Sequence, residues 1–125
     1  EGSEIASVAD LDGKTVGVQL GTTGDIYAED IADATIERYN KGFEAVQALS
    51  QGKIDAVIID NEPAKVFVAE NEGLVLLDEA FTVEEYAMAI AKENTELLEK
   101  VNVALAELTE DGTLKAIVDK YISAE

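Results

Sequence analysis

The sequence has no cysteine, so no disulfide, thiolate metal site or cysteine nucleophile can form, and sulfur usage leaves the redox compartment unmarked. It has no histidine either, which removes the usual general base near neutral pH and the commonest nitrogen ligand of transition metals. Catalysis and metal binding both lose their first candidates. Basic residues are scarce, 9 Lys and Arg against 27 Asp and Glu, and the net charge of −18 repels phosphate backbones and anionic membrane surfaces. Nucleic acid is thereby excluded as a partner. No apolar run approaches the ~20 residues of a membrane-spanning helix. Glu1 to Asp10 lacks the basic and apolar regions of a signal peptide. A soluble chain with any export signal removed is expected.

What is present suits a globular domain. With 125 residues, 47% of them hydrophobic, the chain can bury a core without staples, and a single domain over 1–125 is expected. An acidic surface of this kind serves solubility first.

Along the chain, Lys14 to Gln19 reads as a β-strand following the turn-forming pair Asp12-Gly13. Gly21-Thr22-Thr23-Gly24 then leads into a short helix over Asp25 to Ile31, with Ile26, Tyr27 and Ile31 as its apolar side. Thr35 to Tyr39 is a second strand, broken by Lys41-Gly42. Phe43, Val46 and Leu49 mark a helix of about two turns stopped by Gly52. Ile54 to Ile59 is a near-continuous apolar run, as a buried parallel strand requires, and it ends in Asp60.

Pro63, the only proline, fits the first turn of a third helix with Ala64, Phe67 and Val68 as its buried stripe. Leu74 to Leu77 and Tyr86 to Ile90 read as two more strands, the latter led in by Thr82 to Glu85. Asn94 can cap a helix with Leu97, Leu98, Val101, Leu105 and Leu108 on one face. After Asp111-Gly112, a last helix carries Leu114, Ile117, Val118, Tyr121 and Ile122. The pattern implies an α/β fold: a three-layer α/β/α sandwich on a mostly parallel sheet of about five strands with right-handed crossovers. A boundary at Ala91 to Asn94 separates a lobe over 1–92 from a helix pair over 93–125.

In such sheets ligands bind beyond the carboxyl ends of the strands. Two segments there carry chemistry. The turn Gly21 to Gly24 presents backbone N–H groups and Thr hydroxyls that suit an anion. Asp60 offers a carboxylate that could pair with an ammonium group. Each has a plainer alternative, since Thr22 or Thr23 can cap one helix and Asp60 another. Donors at one strand end and an acceptor at another suit a zwitterion such as an α-amino acid.

The run from Ser7-Val8-Ala9-Asp10-Leu11-Asp12-Gly13-Lys14-Thr15-Val16-Gly17-Val18 through Gln19-Leu20-Gly21-Thr22-Thr23-Gly24 resembles the start of the second lobe of periplasmic solute-binding proteins for polar amino acids. The likeness continues through Ala45-Val46-Gln47-Ala48-Leu49, Gly52 to Asp60, and Asn94-Thr95-Glu96-Leu97-Leu98 to Glu110-Asp111-Gly112-Thr113-Leu114, nearly the whole chain. The resemblance implies one lobe of a type II periplasmic-binding-protein fold, in which Thr22 and Thr23 hold the α-carboxylate through backbone N–H and hydroxyl groups, Asp60 holds the α-ammonium, Gln19 touches the ligand side chain, and Gly21 is a further ligand-binding residue. Leu20 and Gly24 stand where some relatives carry polar residues. It further implies a periplasmic or extracytoplasmic setting, a membrane transporter of the ABC type as partner, and a first lobe that supplies the other half of the site. No cofactor is implied.

By the same resemblance, the two final helices belong to elements that cross back onto the first lobe. Here they are expected to fold onto this chain's own sheet, giving a flavodoxin-like monomer, or to be exchanged with a second copy in a swapped homodimer. The regularity of the sequence suggests an engineered or reconstructed chain.

Other functions have less to stand on. A receiver-like domain needs an acidic pair after the first strand for Mg²⁺, and Gln19-Leu20 stands there instead. A flavin module has only the Thr-rich loop in its favour. A dehydratase-like enzyme would have Asp60 alone as acid or base in an open half-cleft. A folded scaffold without a ligand remains the main alternative to a weak, half-site amino-acid binder.

Overall fold

The structure, a computed structural model, describes residues 2–83 and 86–121. Glu1, Glu84, Glu85 and Ile122, each part of an expectation above, lie outside the described residues. The chain divides into two compact units, one ending at Thr82 and the other beginning at Val83.

The first unit is built on strand β1, Thr15–Gln19. Its alternation sends Val16 and Val18 to one face, where both are fully buried, and Gly17 to the other. The point a Cβ would occupy on Gly17 lies 3.4 Å from Ala45 Cβ and 2.5 Å from Ile54 Cδ1, so glycine is what lets the second face pack this closely. Burying the two valines contributes about 1.5–3 kcal/mol each relative to exposure.

Strand β2, Thr35–Tyr39, and strand β3, Ala56–Ile58, flank β1 in the order β2-β1-β3. Both pair with it in parallel: Val18 stands opposite Arg38 on one side and Ile58 on the other. Helix α1, Thr23–Ala28, connects β1 to β2, and helix α2, Gly42–Ser50, carries the chain from β2 past β1 to β3. Ala28 of α1 joins Leu11, Val16 and Val18 in one core cluster, while Ala45 of α2 lies against the Gly17 face. The two crossover helices therefore cover opposite faces, and the unit is three-layered. Helix α3, Asn61–Glu70, follows β3 and buries Ala64 and Phe67.

Several expectations need correction. Three strands are present among the described residues, not about five: Leu74 to Leu77 and Tyr86 to Ile90 have no strand structure. An apolar run becomes a strand only when a neighbour takes its ladder hydrogen bonds. No described strand pairs with Leu74 to Leu77, and the second unit holds no strand at all among its described residues. Helix α1 ends at Ala28 rather than Ile31, and it leaves Ile26 and Tyr27 exposed while burying Asp25. In α2, Ala45, Val46 and Ala48 are buried and Phe43 is exposed. There the Lys41 ammonium lies 5.8 Å from the centre of the Phe43 ring.

The second unit is the helix pair α4, Thr95–Glu110, and α5, Thr113–Tyr121. Asn94 caps α4, its side-chain oxygen accepting from the Leu97 N–H at 3.3 Å, and Gly112 at φ +80° makes the turn into α5. Val101, Leu105, Leu108 and Val118 are half-buried, and no described residue of either helix is fully buried. Leu97, Leu98, Leu114 and Ile117 are exposed.

Candidate functional site at the carboxyl edge of the sheet

The chain leaves β1 toward β2 on one side and later returns to β3 on the other, so the reversal of strand order falls between the carboxyl ends of β1 and β3. In open α/β sheets that is where ligand crevices form. Three loops arrive there: Leu20 to Thr22 after β1, Asn40 and Lys41 after β2, and Ile59 and Asp60 after β3.

The first loop is held by its own hydrogen bonds. The Leu20 N–H donates to the Tyr39 carbonyl at 2.8 Å, extending the pairing with β2 by one residue. The Thr22 hydroxyl donates to the Gln19 carbonyl at 2.8 Å and accepts from the Asp25 N–H at 3.3 Å, which makes it the cap of α1. Gly21 adopts φ +77°, a region that glycine enters without strain. Its N–H donates to Asp25 Oδ2 at 2.9 Å. Asp25 Oδ1 accepts from Arg38 Nε at 2.8 Å, and the Arg38 guanidinium reaches on to Glu29.

Across the crevice, a Cβ on Gly24 would stand 3.2 Å from Ile58 Cγ2 and 3.7 Å from the Ile58 carbonyl oxygen. The start of α1 thus abuts the last residue of β3. Continuing the Val18 to Ile58 register puts Gln19 and Leu20 level with Ile59 and Asp60. From the α2 side, a Cβ on Gly42 would meet Ile59 Cδ1 at 2.6 Å and Gln19 Oε1 at 3.7 Å. Gln19 is half-buried between these elements, whereas Leu20 is 57% exposed beside it.

Asp60 occupies the N-cap position of α3 at φ −56° and ψ 143°, and its side chain makes no capping hydrogen bond. Pro63 explains part of this. It stands third in the helix, where a capping side chain usually finds an N–H, and proline has none. Asp60 is exposed at the crevice edge.

The five residues singled out from the sequence therefore share one edge of the sheet, with Gln19, Gly21, Thr22 and Thr23 along the β1 exit and Asp60 along the β3 exit. Two partners escaped the sequence reading, Asp25 and Arg38. Arg38 is the only arginine in the chain, and a lone arginine in a strand beside the first loop is the signal that could have drawn attention to it. Among the described residues there is no cluster of side chains that could hold a metal ion, and no helix is long and apolar enough to cross a membrane.

A parallel sheet with loops converging at its switch point is the architecture of a ligand-binding α/β lobe. Residues 6–124 match the family of bacterial extracellular solute-binding proteins, family 3, and the chain belongs to that family. The L-cystine-binding protein TcyJ of Escherichia coli strain K12 is 36% identical over 123 residues, which cover 97% of this chain and 46% of that protein. An ancestral arginine-binding protein, solved with arginine bound, is 40% identical with a TM-score of 0.73 over 95% of this chain and 55% of its own. A crystal structure of domain 2 from TmArgBP matches at 40% identity and a TM-score of 0.55, covering 61% of this chain and 85% of that one. The chain spans about half the length of the curated relatives it matches. The family is one of binding proteins, and its relatives are named for amino acids they bind rather than for reactions.

Proposed function

We propose that this chain is the ligand-gripping lobe of an extracytoplasmic amino-acid-binding protein that serves an ABC-type transporter, and that alone it carries half of the binding site. The observation that supports this reading is the parallel register of β1 and β3, in which Val18 stands opposite Ile58 and both strands therefore exit at the same edge.

In this reading Thr23, where the turn enters α1, takes the ligand's α-carboxylate. Asp60 takes the α-ammonium, and Gln19 lies against the ligand side chain. Charge-assisted hydrogen bonds to both ends of a zwitterion fix its orientation and exclude compounds lacking either group. The Gly21 N–H, bound to Asp25, is a structural member of the turn rather than a donor to the ligand. The Thr22 hydroxyl and N–H likewise both donate to the Gln19 carbonyl, so Thr22 too is a structural member of the turn.

The opposing lobe would add a second charge partner and enclosure, each worth several kcal/mol in buried recognition. Binding by this chain alone is accordingly weak. A ligand-free scaffold is the second reading, favoured by the internal satisfaction of the Gly21 N–H and the Thr22 hydroxyl. Titration calorimetry against the twenty amino acids separates the two. Millimolar heats for a few polar amino acids, lost in Asp60→Asn, support the half-site, complete silence supports the scaffold, and sub-micromolar affinity refutes the half-site.

A further inference from the structure

Asp25 is 7% exposed and is the buried charged residue among the described ones. A carboxylate removed from water must be fully partnered, and both of its oxygens are: Oδ2 accepts from the Gly21 N–H at 2.9 Å, and Oδ1 accepts from Arg38 Nε at 2.8 Å. Asp25 is not needed as a cap, because the Thr22 hydroxyl already serves α1 in that role. An exposed aspartate in the first turn would complement the helix dipole equally well. What burial and pairing add is a rigid tie between the β1 exit and strand β2, where Arg38 stands opposite Val18. Its neighbour Tyr39 accepts from the Leu20 N–H, so the turn is anchored to β2 at two points. Glycine at φ +77° has wide freedom to drift, and the Asp25 bond selects one conformation.

We infer that Asp25 and Arg38 form a positioning pair for the ligand turn: the carboxylate pegs Gly21, and Arg38 neutralises a charge that would otherwise oppose an anionic ligand group a few residues away. The inference rests on the turn being the cradle of the ligand carboxylate. Two like charges this close, one of them buried, repel through a poorly screened medium, so a carboxylate-binding turn tolerates Asp25 only in its paired state.

The test uses the full chain, ¹⁵N-labelled, as wild type, Asp25→Asn, Arg38→Met, Arg38→Lys and the double variant Asp25→Asn with Arg38→Met. Amide exchange at Leu20 and Gly21 is compared with that at Val16 and Val18 in the central strand. The expected result is acceleration at the turn at least tenfold beyond that in the strand for Asp25→Asn and Arg38→Met, partial recovery in Arg38→Lys, and a double variant no worse than the single ones. Equal acceleration in turn and strand, or none in the turn, overturns the pegging. Should Arg38→Met fail to fold, Arg38→Lys and Asp25→Asn give the same comparison.

A second arm titrates each protein with L-arginine, L-glutamine and L-cystine. The expected result is a response at Thr23 and Gly24 in the wild type that weakens at least fivefold in Asp25→Asn. An equal response in both proteins overturns the role in binding. No response in the wild type overturns the ligand reading itself, while the exchange pattern still decides whether the pair pegs the turn.

Discussion

Ile54 Cδ1 lies 2.5 Å from the point where a Cβ on Gly17 would stand, and Ile54 is itself buried. The second face of the central strand is therefore filled to the limit at this position. Gly17→Ala is expected to destabilise the fold by about 1–3 kcal/mol, the usual cost of an extra methyl in a packed core. Removing the offending methyl with Ile54→Val should recover part of the loss in the double variant. Denaturant midpoints of the four proteins check both statements, and strict additivity of the two substitutions would contradict them.

Thr22 caps α1 through the bond from the Asp25 N–H. Thr22→Ala is expected to cost about 1 kcal/mol and Thr22→Ser much less, because serine keeps the oxygen. Urea denaturation measures the difference. Equal losses in the two variants would move the role of Thr22 from its hydroxyl to its methyl group.

Acid should act late on one carboxylate outside the site. Asp10 Oδ2 accepts from the Ser7 hydroxyl at 2.8 Å and from the Ser7 and Ala6 N–H groups at 2.9 and 3.1 Å. These bonds, the Ser7 hydroxyl foremost, hold its pKa below the usual carboxylate range. Because the folded value is the lower one, Asp10 contributes stability above the unfolded carboxylate's range and loses it as pH falls through the folded value. Carboxyl ¹³C titration is expected to give Asp10 a midpoint below that of an ordinary aspartate, and Ser7→Ala to raise it. An unchanged midpoint in Ser7→Ala would reject this cause.

Gly42 brings the start of α2 against Ile59 and Gln19, so a methyl there crowds Ile59 and meets the Gln19 amide oxygen. Gly42→Ala is expected to shift the amide resonances of Ile59 and Gln19 and to leave those of Ala6 and Ser7 in place. Chemical-shift mapping of the variant reads this directly.

How legible the fold was depended on whether local chemistry or long-range pairing decided each element. Strands β1 and β2, and the ends of α2 and α4, follow from residues close in sequence: Asp12-Gly13, Lys41-Gly42, Gly52, Asn94 and Gly112 mark them. Leu74 to Leu77 and Tyr86 to Ile90 have strand composition, yet strand state depends on a neighbour that the run itself cannot specify. Helix α1 misled for a related reason. Ile26 and Tyr27 look like its core face, but the buried side carries Asp25, made tolerable by an arginine thirteen residues away. The edge of the sheet that carries the candidate site was legible, because Gln19 ends one strand and Gly21, Thr22, Thr23 and Asp60 follow strands whose exits could be located. What could not be read was that Gly21 and Thr22 spend donors on the turn itself.

The central claim is that the turn after β1 and Asp60 after β3 grip opposite ends of one amino acid. The most direct measurement is an amide titration of the wild-type chain with L-arginine, its methyl ester and its Nα-acetyl derivative. The intact amino acid is expected to shift Thr23, Gly24 and Asp60 together along one binding curve. The ester should lose the response at Thr23 and Gly24, and the acetyl derivative the response at Asp60. Responses of the two segments with different midpoints, or the same response to all three compounds, would contradict it.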